Sequence, residues 1–214
     1  STGDGDIGFV QNGTGLLIAD NISSGNGSVS LSSNGGGGLS ANDIRSNNGD
    51  VNLTSKKGGD TTATNIRAIN GNINITNTGG GDQWVDNLFS KNGNINLTVA
   101  TGGKLTVYDT ESSGGESSFT ADTMEFLGGP DSIRGTGDFS ISAFSSDRLV
   151  NIDTGFAGPP SQAPEFLRLT NRELDAIALG SFANIFIGNP AGLDLTFQTF
   201  QADFSGFAED QEGT

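Results

Sequence analysis

The sequence predicts an all-β fold, a right-handed, three-sided parallel β-helix (a solenoid) built from 22-residue coils. Three observations predict it. A five-residue phrase returns as GDVNL at 49–53, GNINI at 71–75 and GNINL at 93–97. Its opening glycine keeps the same 22-residue step through Gly5, Gly27, Gly49, Gly71, Gly93, Gly115 and Gly137, with no insertion or deletion. Behind each glycine the side chains alternate with period two, the mark of a strand with one apolar face. One coil cannot bury that face alone; stacking does, and so the phrase must return.

The first strand of each coil is the clearest. Two residues after the glycines stand Ile7, Val29, Val51, Ile73, Ile95, Ser117 and Phe139, and four after stand Phe9, Leu31, Leu53, Ile75, Leu97, Phe119 and Ile141. Asn52, Asn74 and Asn96 lie between them on the polar face. A Gly-rich turn follows, at 35–38, 58–59, 79–81 and 102–103. A second, weaker strand is marked twelve residues after the glycines by Leu17, Leu39, Thr61, Gln83, Leu105, Leu127 and Leu149. A third is marked by Ile22, Ile44, Ile66 and Leu88. Each strand pairs with its counterpart one coil on, at roughly 4.8 Å, so seven rungs make a rod about 34 Å long. Parallel crossovers give the right hand.

Asn and Asp fall into columns of their own. Sixteen residues after the glycines stand Asn21, Asp43, Asn65, Asn87, Asp109, Asp131 and Asp153; just before most of them stand Asp4, Asn26, Asn48, Asn70 and Asn92. Both residue types tolerate turn conformations and bond nearby backbone. Stacked asparagines also form amide ladders along the rod.

Beyond about residue 115 the chain changes character, and twelve of its 14 phenylalanines lie there, which predicts a wider core. Residues 1–155 read as regular coils, 156–207 as a variant section and 208–214 as an acidic tail. The prolines of FAGPPSQAPE at 156–165 interrupt the ruler and predict an excursion. Thr170 with Glu173 forms a capping box, predicting a helix over 171–179 ended by Gly180. ANIFIG and LDLTFQTF read as further strands.

Composition bounds the chemistry. The 214 residues contain no cysteine and no histidine, which excludes disulfides, thiolate or imidazole metal sites, and Ser-His-Asp or Cys-His catalysis. A net charge of −15 argues against nucleic acid and anionic membranes as partners. No apolar run is long enough to span a bilayer, and no signal peptide stands at the start, so an export signal is expected outside this segment. The glycine runs are turns, not a phosphate cradle, since Lys104 is followed by leucine.

Polysaccharide cleavage would need paired carboxylates, or calcium held by an acidic cluster beside a basic residue. Asp109, Asp131 and Asp153, stacked in one column with Arg134 and Arg148 nearby, are the candidates, and Ca²⁺ is the cation they would take. Solvated turn carboxylates are the plainer reading of that column. The GDGD stretch at 3–6 matches no calcium loop. Thr54, Thr76 and Thr98 align over only three coils, too few for an ice-binding ladder. The sequence is therefore read as non-enzymatic, with the conserved geometry of Gly5 to Gly137, of Asn48, Asn70 and Asn92, and of Asn52, Asn74 and Asn96 as structural ladders.

The GNINLT-type repeats, followed by Leu169-Thr170, Glu173-Leu174, Ile177, Gly180 and Ile185-Phe186-Ile187-Gly188, resemble the filamentous-haemagglutinin-type exoproteins of bacteria. The likeness covers most of residues 5–200. It implies a secreted or surface-anchored β-helical rod serving adhesion, biofilm or fibre formation. The NPNL-like motif that marks the secretion domain of such proteins does not occur here. The expected function is a structural segment of an extracellular fibre or adhesin stalk, its partners being further copies of itself stacked head to tail, the rest of a longer chain, or glycans. The alternative expectation is a polysaccharide-binding or polysaccharide-cleaving β-helix.

Overall fold

The computed structural model describes residues 3–100, 102–153 and 166–188, without the side chains of Leu149, Asp153 and Phe166. The excursion at 156–165, the strand LDLTFQTF and the acidic tail lie outside the described residues. The first coil is β1 (Ile7–Gln11) and β2 (Leu17–Ser24), the second β3 (Val29–Ser33) and β4 (Leu39–Ser46). The third is β5 (Val51–Ser55) and β6 (Thr61–Ala68), the fourth β7 (Ile73–Asn77) and β8 (Gln83–Ser90). The fifth holds β9 (Ile95–Val99), β10 (Leu105–Val107) and β11 (Thr110–Ser112). The sixth holds β12 (Ser117–Thr120), β13 (Met124–Phe126) and β14 (Ile133–Gly135). Beyond it come β15 (Phe139–Ser142), β16 (Leu149–Asp153), β17 (Phe166–Thr170), the helix α1 (Asn171–Asp175) and β18 (Ile185–Ile187).

The strands stack as a parallel β-solenoid. One sheet runs β1-β3-β5-β7-β9-β12-β15-β18. Ile73 lies between Val51 and Ile95 in register, and all seven rungs from Ile7 to Phe139 keep the 22-residue step, enclosing six full coils. The next rung comes only after 46 residues, where Ile185 pairs with Phe139.

On the other side, the expected second and third strands are one continuous eight-residue strand in each of the first four coils, β2, β4, β6 and β8. Each bends at a single residue in the left-handed region: Asn21, Asp43, Asn65 and Asn87, with φ between 51° and 57°. That conformation costs most side chains about 1–2 kcal/mol, and Asn and Asp enter it most readily. The pairing skips the bent residue, running Asn42 to Thr64 and then Ile44 to Ile66. The skip turns residues on both arms inward: Thr61, Ala63, Ile66 and Ala68 are all buried. The coil thus has three sides but two sheets.

The glycine column follows from close approach, not from φ. A Cβ on Gly71 would lie 2.2 Å from the carbonyl oxygen of Gly49. Gly27, Gly49, Gly93, Gly115 and Gly137 are blocked in the same way by the glycine one coil before, whereas Gly5, at the foot of the column, has nothing within 4 Å.

The core is aliphatic through the fifth coil and aromatic above it. Phe119 meets Phe126 and Phe139 edge to face, with centroids 6.0 and 5.0 Å apart. Here the ruler slips in one sheet only. Leu105 pairs with Met124, 19 residues on, and Thr110 with Ile133, 23 residues on. Leu127, expected in the leucine column, is instead half-buried outside the strand, and Leu149 lies in β16, which among the described strands pairs with β17. A strand opening at Leu127 would run Leu-Gly-Gly with no second side chain for the core. One opening at Met124 puts Met124 and Phe126 inside, and Phe126 reaches Phe119.

The helix is also shorter than expected. It starts at the predicted cap, with the Thr170 N–H donating to Glu173 Oε2 at 2.9 Å, but ends at Asp175. The sheet takes over from there. The Asp131 and Ile133 N–H groups donate to the Asp175 and Ala176 carbonyls, and Ile177 forms a parallel bridge with Ile133. Gly180 therefore ends no helix.

Candidate functional site

The expected ladders are present and run from the first coil to the fifth. Asn26 donates to Asp4, Asn48 to Asn26, Asn70 to Asn48 at 2.6 Å and Asn92 to Asn70 at 2.7 Å. Asn74 donates to Asn52 and Asn96 to Asn74, both at 2.8 Å. A third ladder crosses the bend: Asn42 donates to Asp20, Asn65 to Asn42 and Asn87 to Asn65. Two of these end at their foot in an aspartate, Asp4 and Asp20. A carboxylate only accepts, so the amides above must donate downward, and the chemistry of the foot fixes the direction of the whole ladder.

A further column escaped the sequence reading. Ser46 Oγ donates to the Gly27 carbonyl at 2.9 Å and accepts the Gly49 N–H at 3.0 Å. Ser24 and Ser90 clamp their glycines in the same way, and Ser112 donates to Gly93. These buried serines stand nineteen residues after Gly5, Gly27, Gly71 and Gly93, with Ala68 in the same place after Gly49, so the signal was available in the period. The threonine row is also longer than it reads, since Thr120 continues Thr98.

Two side chains of the expected aspartate column, Asp109 and Asp131, are described. Asp109 pairs with Arg134 at 3.3 Å. Burial pushes its carboxyl up from the ordinary value, the Arg134 guanidinium works against that, and Asp86 and Glu111 add to the rise. Asp131 is exposed and left-handed, at φ 56°. Asp153 lies in β16 and its side chain is outside the described residues. Arg148, expected beside this column, pairs with Asp122 at 3.5 Å. Asp122 is buried and also accepts from the Ser145 N–H and Oγ at 2.8 and 2.5 Å. Among the described residues no three His, Cys, Asp or Glu side chains come together.

Two surfaces stand out. The first is the foot of the rod, where Phe9, Val10, Leu16 and Ile18 are all more than half exposed and Ile18 reaches 70%. Of these only Phe9 stands in a core column, below Leu31, which is 1% exposed; Val10 and Ile18 stand below Ser32 and Ser40 on the outer faces. The second is a shallow groove of about 480 Å³ at the bend of the long strands, lined by Asn42, Asn65, Asn87, Arg45, Arg67 and Phe89 among others. Arg67 lies 4.3 Å above the centre of the Phe89 ring. Arg45 pairs with Asp43 at 2.8 Å.

No family model, no curated protein and no solved structure matches the chain, so the fold and these two surfaces are what its residues themselves supply.

Proposed function

We propose that this chain is a rigid structural segment of an extracellular bacterial fibre or adhesin stalk whose rods stack end to end. The bare apolar foot carries this reading. β1 has a neighbour on one side only, and an unpaired strand edge is a template for another strand. Joined to Phe9, which is half-exposed at the end of a core column, it fits a further coil, supplied by a second copy or by a longer chain. The Asn, Ser and Gly columns of the first five coils support a load-bearing role, because they tie coil to coil by side chain as well as backbone. The extracellular and bacterial parts of the reading rest on the GNINLT and Leu169–Gly188 motifs.

Electron microscopy of stained, purified protein over a rising concentration series tests it. Filaments are expected, with fibre diffraction at the strand spacing of roughly 4.8 Å along the axis. A Phe9→Lys variant, at the exposed end of the core column, should keep the fold and stop at short rods. Compact monomers alone at the highest concentration would defeat the end-to-end reading.

A further inference from the structure

Aromatic residues are scarce in the regular coils, and their placement is unexpected. Between residues 10 and 115 the chain has only Trp84, Phe89 and Tyr108. None of the three enters the core, which is aliphatic there. All are partly buried, with one side open on the outer face of the sheet. They also stand together: Trp84 and Phe89 are on β8, and Tyr108 follows β10, with its ring 5.0 Å from Trp84, edge to face. Burial is the usual destination of such rings, and three of them on the outer side of one sheet are a binding feature rather than a packing one.

The polar groups around them are fixed in advance. Asn87 sits at the bend between Trp84 and Phe89, and Asn65 sits one coil below. Their amides are held by the ladder, with Asn87 donating to Asn65 at 2.6 Å and Asn65 to Asn42 at 3.3 Å. Each amide carries two N–H donors, and the ladder engages one. The Arg67 guanidinium lies over the Phe89 ring, and Asp86 lies one residue before the bend. Side chains already immobilised lose little freedom when a ligand arrives.

We propose that the outer face of the long sheet at coils three to five binds a neutral polysaccharide, with Trp84–Tyr108 and Arg67–Phe89 as two anchors on either side of the asparagine row. A pyranose ring offers an apolar C–H face to an aromatic ring and a rim of hydroxyls to amides, carboxylate and guanidinium. Charge selects the neutral class. The chain carries −15, and Asp43, Asp86, Asp109 and Glu111 outnumber Arg45, Arg67 and Arg134 around this face, so an acidic polymer or nucleic acid is repelled. A protein partner is disfavoured because a protein interface needs a contiguous desolvated apolar centre. These rings are separated by the polar bend. The proposal is independent of end-to-end stacking, since this face runs along the side of the rod.

The chain has a single tryptophan, Trp84, so its own fluorescence reports on the site. The full chain is titrated with hydroxyethyl cellulose, xyloglucan, glucomannan and pullulan, with alginate as the acidic comparison. The same five polymers are cast into native gels. The expected result is a saturable change in Trp84 emission and gel retardation with at least one neutral polymer. Phe89→Ala and Trp84→Ala should each lower apparent affinity at least tenfold in the gels, and Thr54→Ala, on the other sheet, should leave it unchanged. Circular dichroism and melting curves establish that the variants keep the fold. Unchanged emission with all four neutral polymers, a response to alginate alone, or equal retardation of Phe89→Ala and the parent overturns the proposal.

Discussion

Between Ile7 and Ser90 the chain repeats without a slip: aliphatic core, glycine on glycine, asparagine on asparagine, a long strand bent at one left-handed residue. Between Leu105 and Ile187 the rod continues by other means. The bent strand divides into separate arms, phenylalanines fill the core, a helical turn is inserted, and the register on one sheet moves from 22 residues to 19 and then 23. The lower part specifies its register by many identical small contacts, none of which tolerates a shift. The upper part relies on a few large rings, and large rings can be satisfied by more than one alignment.

The glycine column is the sharpest way to break this comparison. Gly71→Ala places a Cβ against backbone that cannot move aside, and a loss of about 4 kcal/mol or more in chemical denaturation is expected, or no folded protein at all. Gly5→Ala, with open space around it, should change stability by less than about 0.5 kcal/mol. Equal effects at the two positions would show that close stacking is not what the glycines serve.

Next in size come the two cores. Phe119 is fully buried and touches two other rings, so Phe119→Ala should cost about 3–5 kcal/mol. Ile75→Val in the aliphatic section should cost about 0.5–1.5 kcal/mol. Amide exchange sharpens this further, because the Phe119 variant should lose protection first in β10 to β15 while β3 to β7 keep theirs.

The third substitution should raise stability. Gln83 lies in the column of Leu39 and Leu105, completely buried, with neither amide atom hydrogen-bonded; Thr61 beside it is in the same condition. Gln83→Leu removes an unsatisfied amide and should stabilise by about 1–3 kcal/mol, read from the denaturation midpoint.

The smallest effect belongs to the surface pair Lys104–Glu125, bonded at 2.7 Å. Its hydrogen bond raises the Lys104 value and lowers that of Glu125. The lysine's contribution is complete below its ordinary value and fades as pH rises through the folded one. The glutamate's is complete above its ordinary value and fades as pH falls through the folded one. Between about pH 4 and pH 10 the melting temperature of Glu125→Gln should sit slightly below that of the parent, and the gap should close at both extremes. Both side chains are well exposed, so solvent screens the pair.

The same contrast governs how much could be read in advance. In the lower coils Val29, Val51, Ile73 and Ile95 occupy one column with no competitor, and the rungs follow directly. At 124–127 the chain offers Met, Phe and Leu in close succession, and only packing against Phe119 decides which of them enters the core. The Asn and Asp column was visible, but its left-handed geometry was not, because turn chemistry and a one-residue bend use the same residue types. The groove was hidden for a different reason. Its residues come from three coils, and the column Arg45, Arg67, Phe89 changes character at its top, so the period shows a repeated arginine and not the ring that meets it. The helix start was legible in Thr170 and Glu173, while its end depended on Ile133, far away in sequence.

The carboxylates under the amide ladders carry one more consequence. Asn26 donates a hydrogen bond to Asp4, Asn42 to Asp20 and the Ser28 N–H to Asp6, and the rungs above repeat that orientation. The molecule therefore has an arrow, with tips that are chemically unlike. Two copies meeting foot against foot would bring three acids on each side face to face with no proton to share. Any array grown from such pieces must be vectorial, lengthening differently at its two ends, as a ratchet distinguishes forward from back.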